Sequence, residues 1–224
     1  MSALGTIGKI VRSSLSRGGA RKSKKSPAPE LEKGTFDYIR EPKSDCFSVG
    51  FAKTDVMPDD MDKTAYYVAG YRMNNPAKGV LDPMTASAVW IDDLSGRGGV
   101  VFVSIDDIGL TNYDVGIIRD LLAGFKKESG CRSINIMSIH NHASIDTVGL
   151  WGPLPRSGRN KKYMELLAQK VKQVVFDAYN DRRDGDLYYG KKEAEAIQRD
   201  SRLPEVYSKD VHRFRFVPKD GSRE

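Results

Sequence analysis

The sequence predicts an α/β fold: a mixed sheet with a parallel β-α-β core and helices packed on it. Three observations carry that expectation. Val100-Val-Phe-Val-Ser-Ile105 is almost wholly apolar, as expected of a strand covered on both faces. Asp114 to Lys127 then places Val115, Ile118, Leu121, Leu122 and Phe125 on one helical stripe. Residues 132–139 return to an isoleucine-rich strand pattern after Ser129-Gly130. Strand, helix and strand in that order make a right-handed crossover, with the two strands parallel and their C-terminal ends side by side.

The other elements follow along the chain. Residues 1–33 form a basic tail expected to be disordered, and residues 34–224 one folded unit beginning near Tyr38. Within the tail, Leu4, Ile7, Ile10, Val11 and Leu15 share a helical face beside Lys9, Arg12 and Arg17. That pattern is compatible with lying on an anionic membrane. A Pro/Gly/Ser-rich basic linker follows it. Cys46 to Ala52 alternates as a strand does, and Asp55-Val-Met-Pro-Asp-Asp60 reads as a turn. Ala65 to Tyr71 is a second strand candidate, then a loop runs to Pro83. Ala86 to Ile91 and Val100 to Ile105 make a hairpin with a long connection, Asp92 to Gly99. After the crossover, Lys161 to Tyr179 is the longest helix, with Met164, Leu167, Val171, Val174, Val175 and Ala178 on its apolar face. Leu187 to Gly190 is a short strand. Val211 to Val217 alternates cleanly, and His212 reads as a structural residue of that strand.

Charge narrows the partners. The formal charge of +6 resides in residues 1–33, which carry eight basic and two acidic side chains; from Gly34 onward there are 28 of each sign. The folded part therefore offers no argument for nucleic acid, and none is expected as a partner. Two cysteines, Cys46 and Cys131, are too few for a disulfide framework and fit a reducing, cytoplasmic location. No run approaches the roughly 18 apolar residues needed to span a bilayer, and the start lacks the apolar core of a secretory signal.

The candidate chemistry sits in Ile134-Asn-Ile-Met-Ser-Ile-His140-Asn-His142, with Asp146 four residues later. Two of the three histidines of the chain lie here. Residues i and i+2 leaving a strand point to the same side, so His140 and His142 can face one pocket while Asn141 faces away. Hydrogen-bonded structural histidines are the plain alternative. Parallel strands open their ligand sites at the carboxyl end, which brings Asp106 and Asp107 towards the pair. An acid there can orient an imidazole or complete a metal shell; a solvated helix-entry turn is the other reading. No phosphate-binding glycine loop follows a strand, and there is no G-x-S-x-G elbow. Zinc chemistry is then the best physical use of a His-x-His with nearby carboxylates.

Met137-Ser-Ile-His-Asn-His-Ala-Ser-Ile-Asp-Thr-Val-Gly-Leu-Trp-Gly152 resembles the T-H-T-H-S-G-P segment of the neutral/alkaline, non-lysosomal ceramidase family. Phe47-Ser-Val-Gly-Phe-Ala-Lys-Thr-Asp55 is similar to that family's G-x-A-x-x-D-I-T-P strand and turn, and Ala69-Gly-Tyr71, Gly79-Val-Leu-Asp-Pro83 and Val101-Phe-Val-Ser-Ile-Asp106 follow in the family's order. The resemblance implies a zinc-dependent amidohydrolase that cleaves the N-acyl amide of ceramide to sphingosine and a fatty acid. It places a zinc ligand at His142 and an active-site histidine at His140. Where the family's G-I/V-H segment supplies another zinc-binding histidine, this chain has Gly79-Val80-Leu81, with Asp82 the substitute ligand one position on. The family's catalytic serine and its glutamate and tyrosine ligands lie further downstream, so the chain is expected to be an N-terminal portion. The alternative is a non-catalytic or divergent module that binds lipid or a partner protein, and a branch that hydrolyses another amide is a third.

Overall fold

A computed structural model describes residues 44–222; the basic tail of residues 1–33 lies outside them. A six-stranded sheet is built from β1 (Phe47–Asp55), β2 (Thr85–Asp92), β3 (Val100–Ile105), β4 (Ser133–Ser138), β5 (Arg183–Glu193) and β6 (Asp210–Pro218), in the order β4-β3-β2-β1-β5-β6. Every neighbouring pair is antiparallel except β3 and β4, which run parallel with Val103 opposite Ile136. Helices α1 (Asn112–Leu121) and α2 (Ala123–Ser129) make the crossover between that pair, and α3 (Lys161–Asn180) packs across β1 and β2. The expected α/β class, the parallel β-α-β core and the 86–105 hairpin are all present.

One face of the sheet carries the core. Ala86, Ala88 and Trp90 of β2 and Val101, Val103 and Ile105 of β3 are buried beneath Leu167, Val171, Val174 and Val175 of α3. Their alternates point the other way, and Phe51, Phe102 and Met137 are exposed. The helix can lie close to β1 because Gly50 has no side chain: a Cβ there would sit 2.0 Å from the Ala178 carbonyl oxygen. The Asn160 side chain caps α3 by accepting from the Tyr163 amide at 3.1 Å.

Three expectations change in the structure. Ala65 to Tyr71 is not a strand; only two isolated bridges form, Tyr67 with Pro76 and Val68 with Ile145. Gly70 has a φ of +116°, and proline has no N–H to extend a ladder. The apolar and aromatic run has another use, because Tyr66 and Ala69, three residues apart, turn into the core from a loop. The single crossover helix divides at Leu122, whose amide is shared between the Ile118 and Arg119 carbonyls. Leu122 and Phe125 are both buried, as their shared stripe predicts. Finally, β5 spans 11 residues where four were expected. Beyond Gly185 it pairs only with β6 and is largely exposed, so no hydrophobic pattern marks it. His212, on β6, meets the Tyr189 hydroxyl at 2.6 Å.

Candidate functional site

The parallel pair ends at Ile105 and Ser138, and backbone bonds keep the two exits together: Ile139 N–H donates to Ile105 O at 3.1 Å and Asn141 N–H to Asp107 O at 2.8 Å. His140 sits between them with a φ of +62°, a left-handed conformation that costs a residue with a Cβ about 1–3 kcal/mol. The turn swings its ring back so that Nδ1 lies 2.8 Å from the Ile108 carbonyl oxygen. A carbonyl only accepts, so Nδ1 carries the proton and the Nε2 lone pair faces outwards.

That lone pair meets the second imidazole. Nε2 of His142 is 3.1 Å from Nε2 of His140, with ring centroids 4.8 Å apart and planes at 72°. Tyr71 lies against the His142 ring at 4.8 Å between centroids. On another side the ring is pressed by Gly70, where a Cβ would fall 2.6 Å from the imidazole. Two bare nitrogens do not sit at this distance without something between them. In the protein by itself His142 Nε2–H donates to His140, which leaves His142 Nδ1 as a buried atom without a hydrogen-bond partner.

The same convergence suits half of a metal shell. Two imidazole nitrogens on one tetrahedral zinc at about 2.0–2.1 Å would be separated by roughly 3.3–3.4 Å, close to the observed 3.1 Å. The Ile108 carbonyl supplies the outer hydrogen bond that orients a ligating histidine. A third donor is not at hand: among the described residues no three His, Cys, Asp or Glu side chains gather where they could hold one ion. The chain thus fits two positions of a zinc site and not a whole one.

The acids named from the sequence go to different places. Asp106 Oδ2 accepts from the Thr85 amide at 2.8 Å and the Thr85 hydroxyl at 2.7 Å, fastening the end of β3 to the start of β2. Asp107 has no exposed surface, and neither of its carboxyl oxygens makes a hydrogen bond of good geometry. Burial pushes its pKa up to about 6; the nearby Ser138 side chain and Gly109 backbone oppose the shift, and Asp106 and Asp114 add to it. Asp82 is exposed on the loop between Ala77 and Met84.

Two further groups organise the site: Asp146, which the sequence set beside the histidines, and Arg159, which it did not single out. Asp146 is fully buried and collects three amides: Val148 at 3.1 Å and Gly149 at 2.6 Å on Oδ1, and Trp151 at 2.8 Å on Oδ2. It shapes the loop behind the histidines. The signal for that role was local, an aspartate followed three residues later by glycine. The second group is Arg159, which grips Asp114 with both terminal nitrogens and the Thr147 carbonyl at 2.9 Å. Burial would raise the Asp114 pKa, but Arg159 and Thr111 outweigh it and hold the carboxyl below its usual range. Arg159 lies 45 residues from Asp114, beyond any local pattern. A cavity of about 470 Å³ between α1 and α3, lined by Ile117, Leu121 and Met164 among others, does not include either histidine.

With this geometry in hand, the fold can be placed. It is shared with a ceramidase complexed with C2, at 17% sequence identity and a TM-score of 0.61, over 79% of this chain and 29% of the other. Neutral ceramidase from Pseudomonas aeruginosa gives 17% identity, a TM-score of 0.60, and coverage of 79% and 30%. No family model and no curated protein matches the sequence. The architecture is therefore ceramidase-like, and the chain spans less than a third of the length of these neighbours.

Proposed function

We propose that this chain is the N-terminal portion of a ceramidase-like zinc amidohydrolase acting on the N-acyl amide of a ceramide. The observation that carries the reading is the pair of imidazole Nε2 atoms converging to 3.1 Å at the carboxyl end of the parallel strands, with His140 Nδ1 already anchored. His140 and His142 would supply two ligands, and the remaining ligands would come from outside the described residues. When bound, zinc polarises a carbonyl and lowers the pKa of water to about 7. The chain's own part is orientation. Ile108 fixes the His140 tautomer, Gly70 and Tyr71 fix the His142 ring, and Asp106 holds β2 against β3 beneath them.

A direct test measures bound zinc and ceramide hydrolysis for this chain alone and for the same chain continued into the remainder of a ceramidase-like polypeptide. The continued chain is expected to hold one zinc and to turn over ceramide, and His142→Ala to lose both. A continued chain that binds no zinc, or whose turnover survives His142→Ala, ends the proposal. One observation favours a second reading, a scaffold without a working metal centre: Leu81, at the position where the resemblance expects a histidine, is 97% exposed. Zinc-free yet folded protein in the same experiment would select it.

A further inference from the structure

We infer that the open face of the sheet receives a second layer of polypeptide, and that this layer brings the remaining ligands to the histidine pair. The inference rests on the proposed function for the source of the layer, the part of a ceramidase-like chain outside these residues; the face itself is read from the strands. Register fixes which side chains it carries. Phe51 pairs with Val89 and Val89 with Phe102, so the three form one row across β1, β2 and β3. Met137, opposite Ser104, continues the row diagonally onto β4. Phe51, Phe102 and Met137 are exposed, and so is Ile139, next to His140, so the apolar face runs up to the site. None of the three helices covers it. Ile118 of α1, Phe125 of α2 and Leu167, Val171 and Val175 of α3 all join the core with Trp90 and Val101 on the other side.

Pattern, charge and size select the occupant. Val100 to Ile105 is apolar on both sides, as a strand in the middle of a layered fold is, and burial of Val101, Val103 and Ile105 uses only one of them. Lys53 is the one charged side chain among the alternate open-face positions 49 to 53, 87 to 91, 100 to 104 and 133 to 137, so the face offers nothing to a nucleic acid or to a strongly charged protein. Four strands about 4.8 Å apart, paired over six residues at about 3.3 Å each, make a footprint of about 400 Å². That is about half of the roughly 800 Å² each partner gives to a standard specific interface. It is small for a second copy or an independent protein, and sufficient for a layer joined covalently, whose effective concentration is in the millimolar range. The ceramidase-like neighbours, of which this chain spans less than a third, have the polypeptide to form it. The half-built metal site points the same way. Two imidazole nitrogens converge at this end of the sheet with no third donor beside them among the described residues. Sheets stacked about 10 Å apart end beside one another, so the loops of a second layer reach the space in front of those nitrogens.

The test is hydroxyl-radical labelling of this chain by itself and of the same chain continued into the remainder of a ceramidase-like polypeptide, with sedimentation of both. Phe51, Phe102 and Met137 are expected to react in the chain alone, which sediments as a monomer, and to lose most of that reactivity in the continued chain. Phe102→Lys is expected to leave the melting temperature of the chain alone unchanged, because the side chain is exposed there. In the continued chain the same change makes the second layer bury an unpaired ammonium, and the melting temperature is expected to fall by about 5 °C or more. Equal labelling in the two proteins, or a substitution without effect on the continued chain, overturns the inference. So does protection within a dimer of the chain alone, which would make a second copy the occupant. A continued chain that protects the face but takes up no zinc would remove the proposed function and leave the second layer standing; one that holds zinc with the face still reactive would do the reverse.

Discussion

Asp107 offers the sharpest test of the packing around the site, because its carboxyl is fully buried without a good hydrogen bond on either oxygen. Its pKa rises from 3.8 to about 6, burial being the main cause. At about 1.4 kcal/mol per pKa unit, this corresponds to roughly 3 kcal/mol separating the protonated from the ionised native state. The sign follows from which state holds the proton. Below pH 3.8 folded and unfolded chains are both protonated and the group contributes nothing. Between 3.8 and about 6 the unfolded chain has released the proton that the folded one keeps, so stability falls as pH rises. Above about 6 the full penalty is present. Asp107→Asn removes the titration, and the variant is expected to gain on the parent by up to about 3 kcal/mol at pH 7.5 and by little at pH 4. Urea midpoints for both proteins across pH 4 to 8 provide the measurement. A stability difference that stays flat over that range would refute the reasoning, since only ionisation of this carboxyl makes it vary.

Two other substitutions test neighbouring parts of the argument. Gly70→Ala forces a Cβ into the His142 ring and imposes a φ of +116° on a residue that resists it, so a loss of about 1–3 kcal/mol and a shifted His142 imidazole resonance are expected; an unmoved resonance would show that the ring does not rest there. Arg159→Ala strands the buried Asp114 carboxylate and is expected to cost about 3–5 kcal/mol in chemical denaturation at neutral pH. Because the Asp114 pKa is lowered in the fold, this contribution is present above the unfolded pKa and fades as pH falls, so parent and variant should converge in acid. Persistence of the full gap at pH 3 would contradict the assignment.

The legible parts of this protein were those with strong one-dimensional periods. The apolar run at 100–105, the stripe from Val115 to Phe125 and the long helix ending near Asn180 each bury a face against the same core, so period and burial agree. Ala65 to Tyr71 shows the limit. Burial of Tyr66 and Ala69 from a loop needs the same apolar and aromatic residue types as a short strand, and composition cannot separate the two. That His140 and His142 both follow the end of one strand was readable from their spacing; that their rings meet was not, because His140 turns at a φ of +62° beyond β4. The separate fates of Asp106 and Asp107 were not, although both follow the same strand. One is fastened to Thr85 and the other is sealed inside, and which occurs depends on neighbours distant in sequence.

The amino-acid order by itself determined the fold class, the parallel crossover and the delivery of two imidazoles to the end of a strand, because each depends on spacing along a few residues. Only the tertiary structure decided that the imidazoles meet at 3.1 Å, that Ile108 chooses the His140 tautomer, and that Gly70 and Tyr71 clamp His142. Apart from the meeting of the two rings themselves, those contacts join residues 32 to 72 positions apart, and their geometry is set by how the loops close over the end of the sheet, not by any local preference of the residues that make them.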